Sequence, residues 1–318
     1  MNRKTLIAST VMAIFYVIIF SSSLQAAEEI NLDGMNAEVQ TFYKQGRFYE
    51  AASIAEKALN AAEAKYGADD PHIIRELDNV GLIYNASGRR AEAIPYYRRS
   101  LVLCEKVSGK ESERTAEAMT KLGKLFFAEG NYEESEPLLK KALEIYKKEL
   151  PENNPKVAEA LENLGELYFL NGEYKKSEPL FEQSLAISEK TYGKYVQEIE
   201  VPLDRLGDLY YFHGKFDDAE RIYKQRITLC EKVYAESHPA LAAADTKLAE
   251  LYYAKGKYKE AVPLYKKAIF IYKNSLGRDH PLIASVSLKL ADVYKKMGRE
   301  RDAKAMEDEA AKIRGIKK

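Results

Sequence analysis

Six side chains in this sequence could bind a metal or move a proton near neutral pH: His72, His213, His238, His280, Cys104 and Cys230. Their placement argues against both uses. His238 and His280 each precede a proline, His72 follows one, and His213 stands beside Gly214. These are loop and helix-end positions, where an imidazole caps or hydrogen-bonds backbone. No His or Cys pair has zinc-ligand spacing. No Ser or Cys nucleophile motif occurs, and no glycine cluster could cradle a phosphate. Paired carboxylates are abundant, as in any charged helical chain, and so carry no information alone. The expectation is a protein that is not an enzyme, with no cofactor and no metal, whose chemistry is recognition.

Recognition needs a frame, and the frame is periodic. Gly46, Gly88, Gly130, Gly172, Gly214, Gly256 and Gly298 recur every 42 residues without insertion or deletion. Four residues before each stands an aromatic: Phe42, Tyr84, Phe126, Tyr168, Tyr210, Tyr252 and Tyr294. Seven hits in register among only 17 glycines define an array of one repeated element.

Within one repeat the pattern is two helices. Ala118, Leu122, Leu125 and Phe126 recur with helical spacing, and Gly130-Asn131 ends that helix. Tyr132, Ser135, Leu139, Ala142, Leu143 and Tyr146 mark a second helix, which stops near Pro151. Residues at one register form a column through the array. Pro71, Pro155, Pro239 and Pro281 open first helices, where a missing N–H costs little. Pro95, Pro137, Pro179 and Pro263 lie inside second helices. A small column (Gly81, Gly123, Gly165, Gly207, Ala249, Ala291) faces a large one (Tyr97, Leu139, Phe181, Tyr223, Tyr265), an interlock of two antiparallel helices.

The run Leu164-Gly165-x-x-Tyr168, Gly172-x-Tyr174, Ser177 and Phe181 resembles the tetratricopeptide repeat. The 42-residue period, with Asp279-His280-Pro281 and Ser237-His238-Pro239 between repeats, is similar to the long form in kinesin light chains and many bacterial proteins. That resemblance implies an all-α fold over residues 32–318: a right-handed α-solenoid of about seven antiparallel helix pairs. It also implies first helices lining a groove that holds an extended or helical peptide.

Carrying that geometry over, one groove column holds Phe127, Phe169, Tyr211 and Tyr253, and the columns beside it hold Glu162, Glu166, Asp204, Asp208, Glu250 and Asp292. An aromatic ladder beside an acidic strip suits a protein segment with apolar anchors and Lys or Arg. Against this, Lys121, Arg205, Lys247 and Lys289 stand where they could neutralise part of the strip. The function expected is a scaffold that binds a partner peptide or helix in the groove. The alternative is a self-assembling or membrane-tethered structural element of an envelope complex.

The remaining features bound location and partners. With 49 basic and 49 acidic side chains the chain is formally neutral, so nucleic acid is not expected as a partner. Residues 1–27 read as a signal peptide: Arg3 and Lys4, the apolar run Leu6 to Phe20, then small residues ending at Ala26 and Ala27. The expected location is periplasmic or secreted. If the segment stays uncleaved it is an inner-membrane anchor, the one route to a membrane. Cys104 and Cys230 lie 126 residues apart, three periods, which places them beyond disulfide reach and reads as two core thiols.

Overall fold

The structure is a computed structural model that describes residues 31–315. The leader expected at residues 1–27 lies outside the described residues. Among those residues there are fourteen α-helices and no strands, and no helix is long and apolar enough to cross a membrane. The chain divides into two compact units, residues 1–138 and 139–318.

The N-terminal unit contains the helix pairs Leu32–Lys44 with Phe48–Tyr66 and Ile74–Ala86 with Arg90–Ser108, then the helix Glu113–Ala128. Its core joins Val39, Leu59, Leu77, Ile83, Leu103 and Leu122. The C-terminal unit contains Pro155–Leu170 with Tyr174–Tyr192, Glu200–Phe212 with Phe216–Val233, Pro239–Ala254 with Tyr258–Leu276, and Pro281–Lys296 with Glu300–Ile313. Its buried side chains, among them Leu203, Leu209, Leu251, Ile271 and Leu290, come from successive pairs. A lone pair could not bury both faces, so stability comes from stacking neighbours.

The repeated residues act locally. Gly172 takes φ of +77°, a left-handed conformation open to glycine, and lets the chain reverse. Its N–H bonds the Phe169 carbonyl at 3.1 Å, and the Glu173 N–H bonds the Tyr168 carbonyl at 2.8 Å. This doubled bond closes the first helix. At the next start, Asn154 accepts from the Lys156 N–H at 2.9 Å with Pro155 as the first helical residue. Second helices run unbroken through Pro95, Pro137, Pro179 and Pro263. Each is the sixth residue of its helix, so the bond it forgoes lies in the first turn.

Two contacts recur inside repeats and one between them. The Ser135 and Ser177 hydroxyls, on second helices, donate to the Gly123 and Gly165 carbonyls of the small column at 2.8 and 2.7 Å. Tyr97, Phe181 and Tyr223 close over Gly81, Gly165 and Gly207. Between repeats, the first-helix aromatic meets the preceding second helix: the Tyr210 hydroxyl donates to Glu182 at 2.8 Å and that of Tyr252 to Glu220 at 3.1 Å. Phe126 has no hydroxyl, and Arg98 lies over its ring at 5.1 Å instead. Glu220 is pulled down to about 2, mainly by the Lys224 ammonium and further by Lys255 and Tyr252.

Candidate functional site

The first-helix columns place the expected groove residues. Phe169, Tyr211 and Tyr253 are half-buried, and each packs on the aromatic that opens the second helix of its own repeat. The ring pairs are Phe169–Tyr174 at 5.5 Å, Tyr211–Phe216 at 6.0 Å and Tyr253–Tyr258 at 5.6 Å. In the N-terminal unit Phe127 meets Tyr132 in the same way at 5.9 Å. One face of each ring is therefore used inside the repeat.

The rings of Phe169 and Tyr211 are joined through a residue outside the expected set. Phe212 is 61% exposed and touches Phe169, Tyr174 and Tyr211 at 6.4, 6.2 and 5.7 Å. Leu170, one period earlier, is 53% exposed. Their column reads Lys44, Ala86, Ala128, Leu170, Phe212, Ala254, Lys296, so two bulky apolar residues stand where other repeats carry alanine or lysine. That contrast was the available signal. Five touching rings form one apolar surface on the C-terminal unit, and the exposed Leu170 follows Phe169 in the chain.

The acidic columns are braced from within. Glu166 pairs with Arg205 at 2.6 Å, Asp208 with Lys247 at 2.5 Å, and Glu250 with Lys289. Each pair joins residues 39 apart, so each ties one first helix to the next. Glu162 accepts from the Ser184 hydroxyl at 2.6 Å, Asp208 also from the Tyr223 hydroxyl at 3.0 Å, and Asp204 from Arg226 at 3.0 Å. Burial pushes the Asp204 carboxyl up and Arg226 draws it back. Asp292 is exposed. Much of the strip's charge is thus compensated inside the stack, and the bare feature of this face is its aromatic surface.

In the N-terminal unit the matching face opens into a cavity of about 470 Å³, lined by Asp78, Leu82, Tyr97, Cys104 and Lys121. The Ser100 hydroxyl and Lys121 ammonium hold Asp78, at 2.7 and 2.6 Å. Ser100 and Arg226 share a column, and in the C-terminal unit Arg226 sits on Asp204, Glu200 and Cys230 where Ser100 leaves space.

The histidines sit at helix ends. His238 and His280 cap first helices, their Nδ1 atoms accepting from the Ala240 and Leu282 N–H groups at 3.2 and 3.3 Å. His238 also stacks on Tyr234 at 4.0 Å. The His72 ring stands 2.6 Å from Asp70, and His213 lies 3.6 Å from Glu178. Both cysteines are free and buried, and burial pushes the Cys230 thiol up to about 11.

Stacked helix pairs that present one side-chain-lined face define the helical-repeat scaffolds of protein–protein interaction. The chain belongs to the tetratricopeptide repeat family: one model of that repeat matches residues 36–101, 74–148, 156–232 and 240–315, and another matches 120–190. Among solved structures, BtubC (BKLC) from P. vanneervenii is 23% identical over 72% of this chain and 89% of its own, with a TM-score of 0.60. The putative kinesin light chain of Podosopora anserina, with nearly identical TPR-like repeats, is 24% identical over 64% of this chain and 97% of its own, with a TM-score of 0.58. A STAND signal transduction ATPase with a tetratricopeptide repeat sensor, from Pyrococcus horikoshii, is 18% identical with a TM-score of 0.72. That match covers 98% of this chain and 47% of the ATPase. At these identities the likenesses show the fold, in the kinesin-light-chain-like form the sequence suggested. No curated protein sequence matches the chain.

Proposed function

We propose that the protein is a non-enzymatic scaffold that binds an extended or helical segment of a partner protein on the first-helix face of its C-terminal unit. The observation that carries this is the continuous ring surface of Phe169, Tyr174, Tyr211, Phe212 and Phe216, with Phe212 61% exposed. Large exposed apolar patches on soluble chains mark contact sites, and aromatic anchors supply most of the affinity in such contacts. The ion pairs beside the rings fix the spacing of the first helices, and the segment seats its apolar side chains on that spacing. Export through residues 1–27 belongs to this reading, and a native protein lighter by the leader's mass checks it.

The test exchanges the two residues that hold least of the fold. A photocrosslinking residue at position 212 should yield one dominant protein adduct in the native cell. Leu170→Ala and Phe212→Ala, introduced into wild type together, should cut partner recovery at least about tenfold and leave Tm nearly unchanged. Phe169→Ala with Tyr211→Ala should lower both, because those rings are half-buried. An adduct consisting of two copies of this chain would favour the self-assembling element. Undiminished recovery by the Leu170/Phe212 variant would refute the site.

A further inference from the structure

A second recess in the C-terminal unit lies on the side of the second helices and shares no residue with the ring surface. It is about 490 Å³ and lies between Phe216–Val233 and Tyr258–Leu276, closed by the loop before Pro239. Leu241 and Ile271 supply apolar lining, Phe270 stands at its rim 64% exposed, and Glu231, Glu236 and Lys267 supply charge.

Beside it is a buried carboxylate, Asp245, paired with the lining residue Lys267. Asp245 is 1% exposed and occupies a column that otherwise reads Met35, Leu77, Met119, Leu161, Leu203 and Ser287. Its Oδ1 has no hydrogen-bond partner among the described residues, and its Oδ2 faces a single ammonium. Its one counter-charge is Lys267, whose Nζ lies 3.1 Å away and 3.7 Å from Glu231. Burial pushes the Asp245 carboxyl up, with Lys267 opposing and Glu231 adding to the rise. Two carboxylates therefore share one ammonium, which is itself 43% exposed. A buried charge left short of partners is costly, and such departures from local rules concentrate at functional sites.

The chain carries its own control. Eighty-four residues earlier, an equivalent recess of about 510 Å³ keeps the shape and one carboxylate, Glu152 in place of Glu236, but not the rest of the chemistry. Lys147 stands in place of Glu231, Gln183 in place of Lys267, Ala186 in place of Phe270, and Val157 and Ile187 form its apolar lining.

We propose that the recess at Phe270 binds an organic cation on an apolar stem, the ammonium or guanidinium of a lysine or arginine side chain. The stem lies along Leu241 and Ile271, the cationic head meets the face of Phe270, and Glu231, Glu236 and Asp245 supply the counter-charge.

Methyl-labelled full chain would be titrated with N-acetyl-argininamide, with its neutral isostere N-acetyl-citrullinamide and with cadaverine. The arginine probe should shift the Leu241 and Ile271 methyl signals to saturation and leave Val157 and Ile187 still. The citrulline probe, and the arginine probe on a chain carrying Glu231→Gln and Glu236→Gln, should each bind at least about tenfold more weakly. Asp245→Leu restores the column residue, so it should weaken binding while raising Tm. Equal shifts at both recesses, equal binding of the citrulline probe, or undiminished binding by the glutamine variant would overturn the proposal. Cadaverine binding tighter than the arginine probe would assign the site to a free amine and overturn the side-chain source. The ring surface is untouched by any of these variants, so the two readings fail separately.

Discussion

Alanine at position 207 should cost the C-terminal unit roughly 2–3 kcal/mol, while the same exchange at 165 should stay within about 1 kcal/mol of neutral. Both glycines are in first helices under a second-helix ring. A Cβ on Gly207 would meet Tyr223 Cε1 at 2.4 Å and Cδ1 at 2.7 Å, whereas on Gly165 the nearest Phe181 atoms lie at 3.2 Å. Tyr223 is buried and its hydroxyl is held by Asp208 at 3.0 Å, so the ring has nowhere to retreat. Phe181 has no such tether and can give by the few tenths of an ångström required. Alanine returns about 1 kcal/mol of helix propensity at either site, which cancels the small clash and not the large one. Urea unfolding followed by circular dichroism reads the difference as a shift in midpoint at constant slope. Matching midpoints for the two variants would mean that the interlock at Tyr223 is loose.

That contrast shows where sequence reading reaches and where it stops. Gly165 and Gly207 occupy one column and Phe181 and Tyr223 another, and the columns alone place a ring over a glycine in both repeats. The tether that makes one ring immobile runs from Tyr223 to Asp208 in the first helix, and no local pattern announces it. The glycine at each turn was legible because only a left-handed residue closes that corner. The half-buried state of Phe169 and Tyr211 was not, because it depends on the rings at Tyr174 and Phe216 folding back five residues later.

The acidic strip illustrates the same limit. Glu166, Asp208 and Glu250 lie 39 residues from Arg205, Lys247 and Lys289. The stagger between neighbouring repeats decides whether such side chains meet, and that stagger is a property of packing. Once they meet, the acids serve the stack first, and each exposed pair contributes little on its own. In the proposed reading, selectivity for a partner therefore falls mainly on the apolar surface, which salt does not screen. Arg226 was visible as an outlier, the one long side chain in a column of Ala58, Ser100, Ala142, Ser184 and Ala268. What it touches was not.

Arg226→Ala should lower the stability of the C-terminal unit by about 2–4 kcal/mol near neutral pH, since removing one partner of a buried pair leaves the other charges uncompensated. Arg226 is 5% exposed and donates from Nε to Asp204 and from Nη2 to Glu200, each at 3.0 Å. Without it two carboxylates on one helix face each other across the vacated space, and Glu200 is only 19% exposed. The Asp204 carboxyl is already raised by burial in spite of Arg226, and losing that cation raises it further. A carboxyl raised in the folded state favours folding at low pH and loses that contribution as pH rises through its folded value. The deficit of the variant should therefore be largest near neutral pH and shrink on acidification, fading below the ordinary carboxylate value of 3.8. A second substitution gives an internal standard. The N-terminal unit stabilises the same corner with Ile74 and Ser100 in place of Glu200 and Arg226, and Ser100 donates to Asp78 at 2.7 Å. Glu200→Ile combined with Arg226→Ser should then recover most of what Arg226→Ser alone gives up, a coupling that a double-mutant cycle measures directly. Additive losses with no pH dependence would show that Arg226 acts through packing of its stem and not through its charge.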